Sequence, residues 1–358
     1  MAKKKIRVAV IGIGGIGGGH ARAVAKHPGM EMAAFLDTAP EIMKRAAEEF
    51  PHAVGCSTLE ELLEVPDLHA AIVATPNNVH ARYTIACANA GLHVLCEKPL
   101  GMNVKEAEAM LAAAKKNRVI GMTNFSYRWV PSFALLRETI REGHFGGIRR
   151  LHVKYLQSGL MDPTKPLVWR NRIEIAGYGA LGDLGSHMSD AARFITGAEP
   201  KRVVGVANIH VASKPDPKTG RPGRVTTDTD AQFMVDFGQF VGIFETSQVE
   251  PAHGNHLVLS VGGERGSARV YSEDGEQLEI ACGAPYATAQ TWQTCLPKTA
   301  VPTSKRRQFV SGRPCIDDFF NAIRKRTRDY PSFEDGLAAQ RVLDGVLKSA
   351  RTNRWEKV

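Results

Sequence analysis

Three glycines at the end of the first apolar segment constrain the fold more than any other feature of the sequence. Residues Ile6–Ile11 are apolar, and Gly12, Gly14 and Gly17 follow as a helical pattern begins. In a strand–turn–helix of this kind, the first glycine permits a tight turn, the second lets a pyrophosphate approach the backbone, and the third allows close helix packing. The helix N-terminus then offers N–H groups to the phosphates. The residues predicted to bind a dinucleotide are Gly12, Gly14, Gly15, Ile16 and Gly17.

A carboxylate follows at the spacing expected for recognition of the adenosine ribose. Asp37 ends the second predicted strand, 20 residues after Gly17. Its carboxylate would accept hydrogen bonds from the ribose diols and would repel a 2′-phosphate. The next residues, Thr38–Pro40, contain no arginine that could bind such a phosphate, although Arg45 lies a little further on. The sequence therefore favours NAD over NADP.

Strands and helices alternate through the first 125 residues. Continuous apolar strands in such an alternation are typical of a parallel sheet covered on both faces. We therefore expect an α/β protein whose residues 1–125 form a Rossmann domain with a doubly wound parallel sheet. The predicted strands are Ile6–Ile11, Glu31–Asp37, Ala70–Thr75, His93–Glu97 and Val119–Phe125. The predicted helices are Gly19–Lys26, Glu41–Phe50, Val79–Ala90 and Val104–Lys116, the last capped by Asn103.

Extended segments dominate after residue 125, with β-branched and aromatic residues between turn signals. They predict an α+β domain, residues 126–358, with an open and mostly antiparallel sheet for substrate binding and oligomerisation. The last helix, Gly336–Arg351, is expected to pack back toward the N-terminal domain. The predicted strands are Arg149–Gln157, Val203–Val211, Ala231–Phe237, Val241–Val249, His256–Val261 and Ala268–Tyr271, and the predicted helices include Ser132–Glu142, Gly179–Ile195 and Ile316–Arg326.

The basic balance of the chain does not predict a nucleic-acid partner. The formal net charge is +9, and most of the excess lies after residue 300, where 13 lysines and arginines stand against 7 aspartates and glutamates. Lys305–Arg307 and Arg324–Arg326 lack interleaved aromatic residues that could stack on bases. A solvated helix face and a basic loop explain these charges.

The cysteine usage and the apolar runs also indicate the cellular compartment. The six cysteines form no C-x-x-C pair and lie mostly in apolar runs, as reduced thiols do in cytosolic proteins, so neither disulfides nor a metal site is expected. The N-terminus leaves no room for the apolar region of a signal peptide. No apolar run approaches the roughly 18 residues of a membrane span. We therefore expect a cytoplasmic protein.

Two later segments resemble the signatures of a known family. Ala90–Pro99 ends in Glu-Lys-Pro, and Gly177–His187 contains a glycine-rich Asp-x-x-x-His pattern. Both closely resemble segments of the glucose–fructose oxidoreductase/inositol dehydrogenase/rhizopine catabolism (Gfo/Idh/MocA) family, and the resemblance runs from about residue 6 to residue 352. Supporting matches are His20, Thr75–Asn77, His80, Trp169–Arg170 and Glu334–Gly336.

Lys98, Asp183 and His187 are the candidate catalytic residues. Lys98 follows a buried strand at the edge where a nucleotide site opens, and a partly desolvated lysine there can donate a hydrogen bond to a substrate hydroxyl and relay its proton. Asp183 and His187 are four residues apart, so on a helix they share one face. His187 is the better general base, because the unperturbed pKa of histidine, about 6.5, lies near neutral pH. Tyr127 and His80 are the alternative bases.

The resemblance implies hydride transfer from a carbinol carbon to the nicotinamide. The hydroxyl proton would leave to His187, Lys98 would polarise the same oxygen, and Asp183 would orient or share the proton. The residues implied to line the nicotinamide and its ribose are Thr75, Pro76, Asn77, His80, Glu97, Lys98, Trp169 and Arg170. The family also implies a homodimer or homotetramer formed through the open sheet. A cis peptide bond is expected at Lys98–Pro99, since only bonds that precede proline adopt the cis form at low cost.

Three functions follow as hypotheses. The first is an NAD-dependent dehydrogenase of a cyclic polyol, sugar or glycoside, in which NADH accumulates steadily. The second is a glycosidase that uses NAD to oxidise a sugar transiently, without net NADH. The third is a non-catalytic sensor on the same fold, against which the joint presence of Lys98, Asp183 and His187 argues. The loops Gln157–Arg172 and Ala284–Arg307 are expected to select the substrate.

Overall fold

The computed structural model describes residues 4–272, 277–282, 291–295, 314–325, 327 and 329–358. Backbone proximity separates these residues into two compact units. The first unit comprises the described residues up to Asn124 together with those in Arg313–Leu337. The second comprises those in Phe125–Gly312 and Ala338–Val358. This division differs from a single boundary after residue 125, because a C-terminal segment joins the first unit.

Helices and strands are numbered in chain order. The described α-helices are α1 (Gly15–Lys26), α2 (Pro40–Glu49), α3 (Leu59–Leu63), α4 (His80–Asn89), α5 (Val104–Lys116), α6 (Pro131–Arg141), α7 (Ile173–Ala176), α8 (Ser186–Thr196), α9 (Pro314–Lys325) and α10 (Phe333–Thr352). The described strands are β1 (Ile6–Ile11), β2 (Met30–Leu36), β3 (Val54–Cys56), β4 (Ala70–Val73), β5 (His93–Cys96), β6 (Gly121–Thr123), β7 (Ile148–Leu156), β8 (Arg202–Asn208), β9 (Ser213–Pro215), β10 (Pro222–Arg224), β11 (Asp230–Asp236), β12 (Val241–Ser247), β13 (His256–Gly263), β14 (Gly266–Tyr271), β15 (Gln277–Cys282), β16 (Gln293–Cys295) and β17 (Glu356–Lys357).

The first unit contains a parallel sheet in the order β3-β2-β1-β4-β5-β6. The strand order reverses between β1 and β4, as in a doubly wound sheet, and ligands bind beyond the carboxyl ends of strands at such a switch point. Ile11 at the end of β1 pairs with Leu36 of β2 and with Val73 of β4. The predicted Rossmann sheet is confirmed. Asn103 caps α5 as expected, because its Oδ1 accepts a hydrogen bond from the Glu106 N–H at 3.0 Å.

The segment that joins the first unit late in the chain completes its core. The Phe320 ring of α9 lies 4.5 Å from the ring of His27, and Ser332 forms an isolated bridge with Met122 of β6. Phe333, at the start of α10, is 1% exposed and packs where Gly121 leaves room, since a Cβ at Gly121 would lie 2.4 Å from its ring. Helix α10 therefore begins in the first unit and continues in the second from Ala338.

The second unit is built on a mixed sheet. Its described residues form nine strands in the order β16-β15-β14-β13-β7-β12-β11-β8-β17. The β7–β12 pair is parallel, and the other neighbouring pairs are antiparallel. One face packs in a hydrophobic core with α6 and α8, where Phe233 and Phe244 stack at 4.8 Å. The predicted open, mostly antiparallel sheet is confirmed.

A buried ion pair links α8 to the short turn Ser126–Trp129. The Arg128 guanidinium contacts both carboxylate oxygens of Asp190, with Nε 2.9 Å from Oδ2 and Nη2 2.5 Å from Oδ1. The side chains of Asp190 and Arg128 are 2% and 14% exposed. The pair fixes the turn that carries Tyr127 to the helix that carries His187.

Arg128→Met should destabilise the protein strongly. The substitution leaves the Asp190 carboxylate buried without its guanidinium, which costs about 3–5 kcal/mol. Arg141→Met is the control, because Arg141 forms an exposed pair with Glu138 at 2.6 Å that contributes at most about 1 kcal/mol. Urea unfolding followed by circular dichroism measures both values. Equal effects of the two substitutions would contradict a stabilising role for the buried pair.

Candidate active site

The glycine loop between β1 and α1 is shaped by two close backbone approaches. Gly12 has a φ of +83°, and a Cβ there would lie 2.7 Å from the carbonyl oxygen of Ala74. A Cβ at Gly17 would lie 1.8 Å from the carbonyl oxygen of Gly12. Side chains at these positions would collide with backbone, so the first and third glycines allow the turn and the helix packing predicted for them.

The middle of the loop is open where a pyrophosphate would bind. A Cβ at Gly14 would meet only Ile42 at 3.8 Å and Asp37 at 3.9 Å, and a Cβ at Gly15 would have no neighbour within 4 Å. Helix α1 starts at Gly15, no side chain caps its N-terminus, and Ile16 is 60% exposed. The helix N–H groups and the open space beside them fit the phosphates of NAD.

Asp37 lies directly after β2 and faces the glycine loop. Its Oδ2 accepts a hydrogen bond from the Gly14 N–H at 3.3 Å, and its Oδ1 accepts one from the Ala39 N–H at 3.0 Å. These contacts hold the carboxylate beside the middle glycine. Its hydrogen bond to the adenosine ribose diols stays a prediction.

His80 is the first residue of α4. Its ring is fully buried, with Nε2 2.9 Å from the carbonyl oxygen of Thr75 and Nδ1 3.1 Å from that of Pro99. Burial lowers the pKa of His80, and a neutral imidazole donates to only one of these carbonyls at a time. The predicted contact of His80 with the nicotinamide ribose, and its alternative role as a base, stay predictions. Its ring bridges the loop after β4 to the one after β5.

Thr75, Pro76 and Asn77 form the loop after β4. Thr75 is partly exposed, and its Oγ1 is buried with no hydrogen-bond partner in the described part of the chain. Pro76 is exposed, and Asn77 is buried in a short turn, Asn77–Val79. An unsatisfied hydroxyl at this edge of the sheet fits a polar ligand group.

The Glu97 carboxylate is held by hydrogen bonds from residues of the first unit. Its Oε1 lies 2.8 Å from Nε2 of His20 and accepts a hydrogen bond from Nδ2 of Asn124 at 2.6 Å, while its Oε2 accepts one from the Lys98 N–H at 3.3 Å. Burial alone would raise the pKa of Glu97, but the hydrogen bond and charge of His20, the charge of Lys98 and the Asn124 amide lower it to about 2. Glu97 is therefore a fixed negative charge beside Lys98. Its contact with a nicotinamide ribose stays a prediction.

The backbone after Glu97 turns at a cis peptide. The Lys98–Pro99 bond is cis, as expected from the sequence. Lys98 is partly exposed, whereas Pro99 is buried.

In the second unit, Asp228 builds the turn that carries Asp183. Its Oδ1 and Oδ2 accept hydrogen bonds from the N–H groups of Gly179 and Leu181, each at 2.7 Å. A Cβ at Gly179 would lie 1.6 Å from the Asp228 carbonyl oxygen, so this position requires glycine. Burial raises the pKa of Asp228, although both hydrogen bonds oppose that effect.

Asp183 and His187 occupy two kinds of helix. Residues Leu181–Gly185 form a π-helical turn that leads into α8 at Ser186, so the predicted helix Gly179–Ile195 is present but starts with a π-helical turn. Such turns contain an extra residue and recur at functional sites. Oδ2 of Asp183 accepts a hydrogen bond from Nε2 of Gln248 at 2.9 Å, and Nε of Arg170 lies 3.8 Å away.

His187 is enclosed by aromatic rings. It is 7% exposed, and the Tyr127 ring lies edge-on at 5.1 Å, with Tyr155 at 6.4 Å and Phe125 at 6.1 Å. The imidazole is therefore packed among three aromatic rings. The aromatic enclosure also keeps water away from most of the ring.

Hydrogen-bonded polar side chains from separate segments of the chain adjoin this cluster. The Tyr127 hydroxyl donates to the Tyr155 hydroxyl at 2.8 Å, which donates to Oδ1 of Asn255 at 2.7 Å, and Gln157 donates to the same oxygen at 2.7 Å. Burial, followed by Tyr127 and the charge of Asp183, raises the pKa of Tyr155. The sequence analysis missed Tyr155, Asn255 and Gln248, because no spacing pattern links these distant segments of the chain.

Trp169 and Arg170 form a turn beside Asp183. The Arg170 guanidinium lies 4.5 Å from the centre of the Trp169 ring, a cation–π contact, and the same side chain faces Asp183. Their contact with the nicotinamide stays a prediction.

Within the described ranges, no group of three or more His, Cys, Asp or Glu side chains could hold a metal ion. No described helix combines the length and apolar character needed to cross a membrane.

Comparisons with known proteins match both units. Residues 6–125 match the family model of an oxidoreductase family with an NAD-binding Rossmann fold, and residues 133–269 match that of the GFO/IDH/MocA C-terminal domain. The chain is 30% identical to levoglucosan dehydrogenase of Pseudarthrobacter phenanthrenivorans, covering 99% of this chain and 98% of the relative. It is 26% identical to inositol 2-dehydrogenase of Rhizobium meliloti, covering 98% of each.

Solved structures match along the same length. Levoglucosan dehydrogenase in complex with NADH and L-sorbose superimposes with a TM-score of 0.89 at 30% identity, covering 99% of each chain. An oxidoreductase domain protein from Kribbella flavida gives a TM-score of 0.90 at 30% identity, again covering 99% of each chain.

Asp37→Ser should narrow the preference for NADH over NADPH by about tenfold or more, because it removes the charge that repels a 2′-phosphate. Glu41→Ser is the control, since Glu41 is an exposed carboxylate in the first turn of α2. Fluorescence titration of both nucleotides measures the preference. Tighter binding of NADPH than NADH to the unmodified protein would refute the assignment.

Proposed function

The chain belongs to the Gfo/Idh/MocA oxidoreductase family, and we propose that it transfers a hydride from a secondary hydroxyl of a cyclic polyol, sugar or glycoside to NAD. One observation supports the proposed reaction with the substrate hydroxyl. The turn Leu181–Gly185 carries Asp183, and α8, which follows it, carries His187 with its ring enclosed by aromatic side chains. Relatives named for levoglucosan and for inositol support the substrate class.

The first unit is proposed to bind the cofactor. The glycine loop, with its open N-terminus of α1, would hold the pyrophosphate, and Asp37 would accept hydrogen bonds from the adenosine ribose. The residues proposed for the nicotinamide end are Thr75, Pro76, Asn77, His80, Glu97, Lys98, Trp169 and Arg170. Bound NAD supplies the hydride acceptor.

The proton is proposed to leave through His187. Its Nδ1 is buried, so Nε2 is the nitrogen assigned to accept the hydroxyl proton. The Lys98 ammonium would donate a hydrogen bond to the same oxygen, and Asp183 would orient the hydroxyl. The substrate C–H and O–H bonds break as the C=O bond forms, and the two electrons leave with the hydride. The dehydrogenases among the relatives do not favour a glycosidase or a sensor.

Substrate selection is proposed for the loop Gln157–Arg172. A neighbouring hairpin, β9–β10, holds this loop in two places. Lys214 donates to the Asp162 carbonyl at 2.5 Å, and Arg172 pairs with Asp216 at 2.6 Å. The second loop expected to select the substrate, Ala284–Arg307, lies outside the described residues except for 291–295.

We also propose a cytoplasmic homodimer or homotetramer formed through the outer face of the second unit's sheet. Met234 and Ile243 face each other across β11 and β12 and are each 41% exposed, and Val206 of β8 is 46% exposed. Neighbouring exposed apolar side chains are typical of a surface that becomes covered on association.

Met234→Glu combined with Ile243→Glu should convert the assembly to monomers, because opposed carboxylates would repel across the contact. Val54→Glu is the control, since Val54 is 49% exposed on β3 of the first unit. Sedimentation velocity measures the mass of each variant. An unmodified protein that sediments as a monomer would overturn the oligomer proposal.

His187→Ala should lower kcat by roughly a hundredfold or more, because it removes the general base. NADH affinity should stay within about twofold, and Lys98→Ala combined with His187→Ala should lose far less than the product of the single losses, since both groups serve one proton transfer. The unmodified rate should rise with pH through the neutral range as the base loses its proton.

His144→Ala is the control, since the His144 side chain is 57% exposed. The assay is NADH formation on a panel of inositols, aldoses and glycosides. Near-normal turnover by His187→Ala would overturn the assignment of the base, whereas product release without NADH would favour the glycosidase.

A further inference from the structure

Gln248 is a buried amide directed at a catalytic candidate. It follows β12, is 3% exposed, and donates from Nε2 to Oδ2 of Asp183 at 2.9 Å. We propose that Gln248 is a positioning residue that fixes the Asp183 carboxylate for proton transfer from the substrate hydroxyl. This inference rests on the proposed dehydrogenase function.

The backbone of Gln248 is held on both sides. Its N–H donates to the carbonyl oxygen of Thr229 at 2.9 Å, and its own carbonyl oxygen accepts a hydrogen bond from the Leu160 N–H at 3.0 Å. Thr229 is adjacent to Asp228, which caps the start of the π-helical turn. Asp228 and Thr229 are neighbours in the chain. The first therefore holds the backbone of the π-helical turn, and the second holds the backbone of Gln248, whose amide contacts the Asp183 carboxylate.

The contact orients the carboxylate as well as satisfying it. Gln248 and Arg170 both approach Oδ2 of Asp183, at 2.9 and 3.8 Å, so rotation of the carboxylate would break a hydrogen bond to a charged group. Two other titratable groups among the described residues bear on Asp183. The charge of Asp183 contributes to the raised pKa of Tyr155, and His187 lies four residues further along the chain. A glutamine suits this position because its amide donates a hydrogen bond at every pH and has no charge of its own.

Two substitutions separate positioning from packing. Gln248→Met keeps a similar side-chain volume but cannot donate a hydrogen bond. Its kcat should therefore be about tenfold lower than that of the unmodified enzyme, and this ratio should be the same at every pH. Gln248→Glu keeps the side-chain shape but places a second carboxyl group at hydrogen-bond distance from the Asp183 carboxylate. Two carboxyl groups this close cannot both be charged. Below the raised pKa of that pair, the introduced carboxyl carries a proton and donates as the amide did.

The decisive measurement is the kcat of Gln248→Glu relative to the unmodified enzyme at each pH. This ratio should fall at least about tenfold between about pH 5.5 and about pH 8.5. The NADH dissociation constant should stay within about twofold in both variants. Gln239→Glu and Gln239→Met are the controls, because Gln239 is exposed in the turn before β12, and their ratios should stay flat.

A melting experiment tests the contact without activity. Gln248→Glu should lower the melting temperature more at about pH 8.5 than at about pH 5.5, and adding Asp183→Asn should remove that pH dependence.

A flat activity ratio for Gln248→Glu, or normal kcat in Gln248→Met, overturns the positioning role even if the melting result is as expected. Absence of the melting effect overturns the contact itself. No turnover by the unmodified protein on any substrate overturns the proposed function, and the kinetic role of Gln248 with it.

Discussion

A carboxylate can be placed inside a protein only where donors satisfy its oxygens, and this chain uses that constraint to build its functional segments. Asp228 accepts two backbone N–H groups and thereby starts the turn that carries Asp183. Asp190 accepts the Arg128 guanidinium and fixes the aromatic turn beside His187. Glu97 accepts His20 and Asn124 next to Lys98. Asp190 and Glu97 therefore lie within a few residues of a group proposed to act in the reaction, and Asp228 is hydrogen-bonded to the segment that carries such a group.

The sequence predicts most of the first unit, because local signals agree there. Apolar strands, glycine spacing and the Asn103 cap depend on neighbouring residues, and Ile6–Ile11 and Val104–Lys116 match the structure in both bounds. Short elements such as β3 and the β9–β10 hairpin have too few residues for a periodic pattern, so tertiary pairing decides them. The helix in Arg313–Leu337 was predicted, but its assignment to the first unit rests on tertiary contacts with residues far away along the chain.

The candidate site residues that the sequence predicts lie in continuous motifs, whereas those that it misses come from distant segments of the chain. Asp183 and His187 lie in one segment, whereas Gln248, Tyr155 and Asn255 come from three places that only the sheet register aligns. His80 shows what spacing leaves open. Its ring is fully buried, and both of its nitrogens lie within hydrogen-bond distance of backbone carbonyl oxygens. Sequence spacing encodes neither that burial nor those partners.

The division of helix α10 has a consequence for biosynthesis. Phe333 fills the space over Gly121, yet 211 residues separate the two along the chain, and the intervening chain includes the whole sheet of the second unit except β17. A ribosome therefore releases most of the second unit before the first unit has all of its core. The first unit can begin to fold early, but its last segment is synthesised after most of the second unit. Until then, the apolar surface that Phe333 covers stays exposed in the nascent chain.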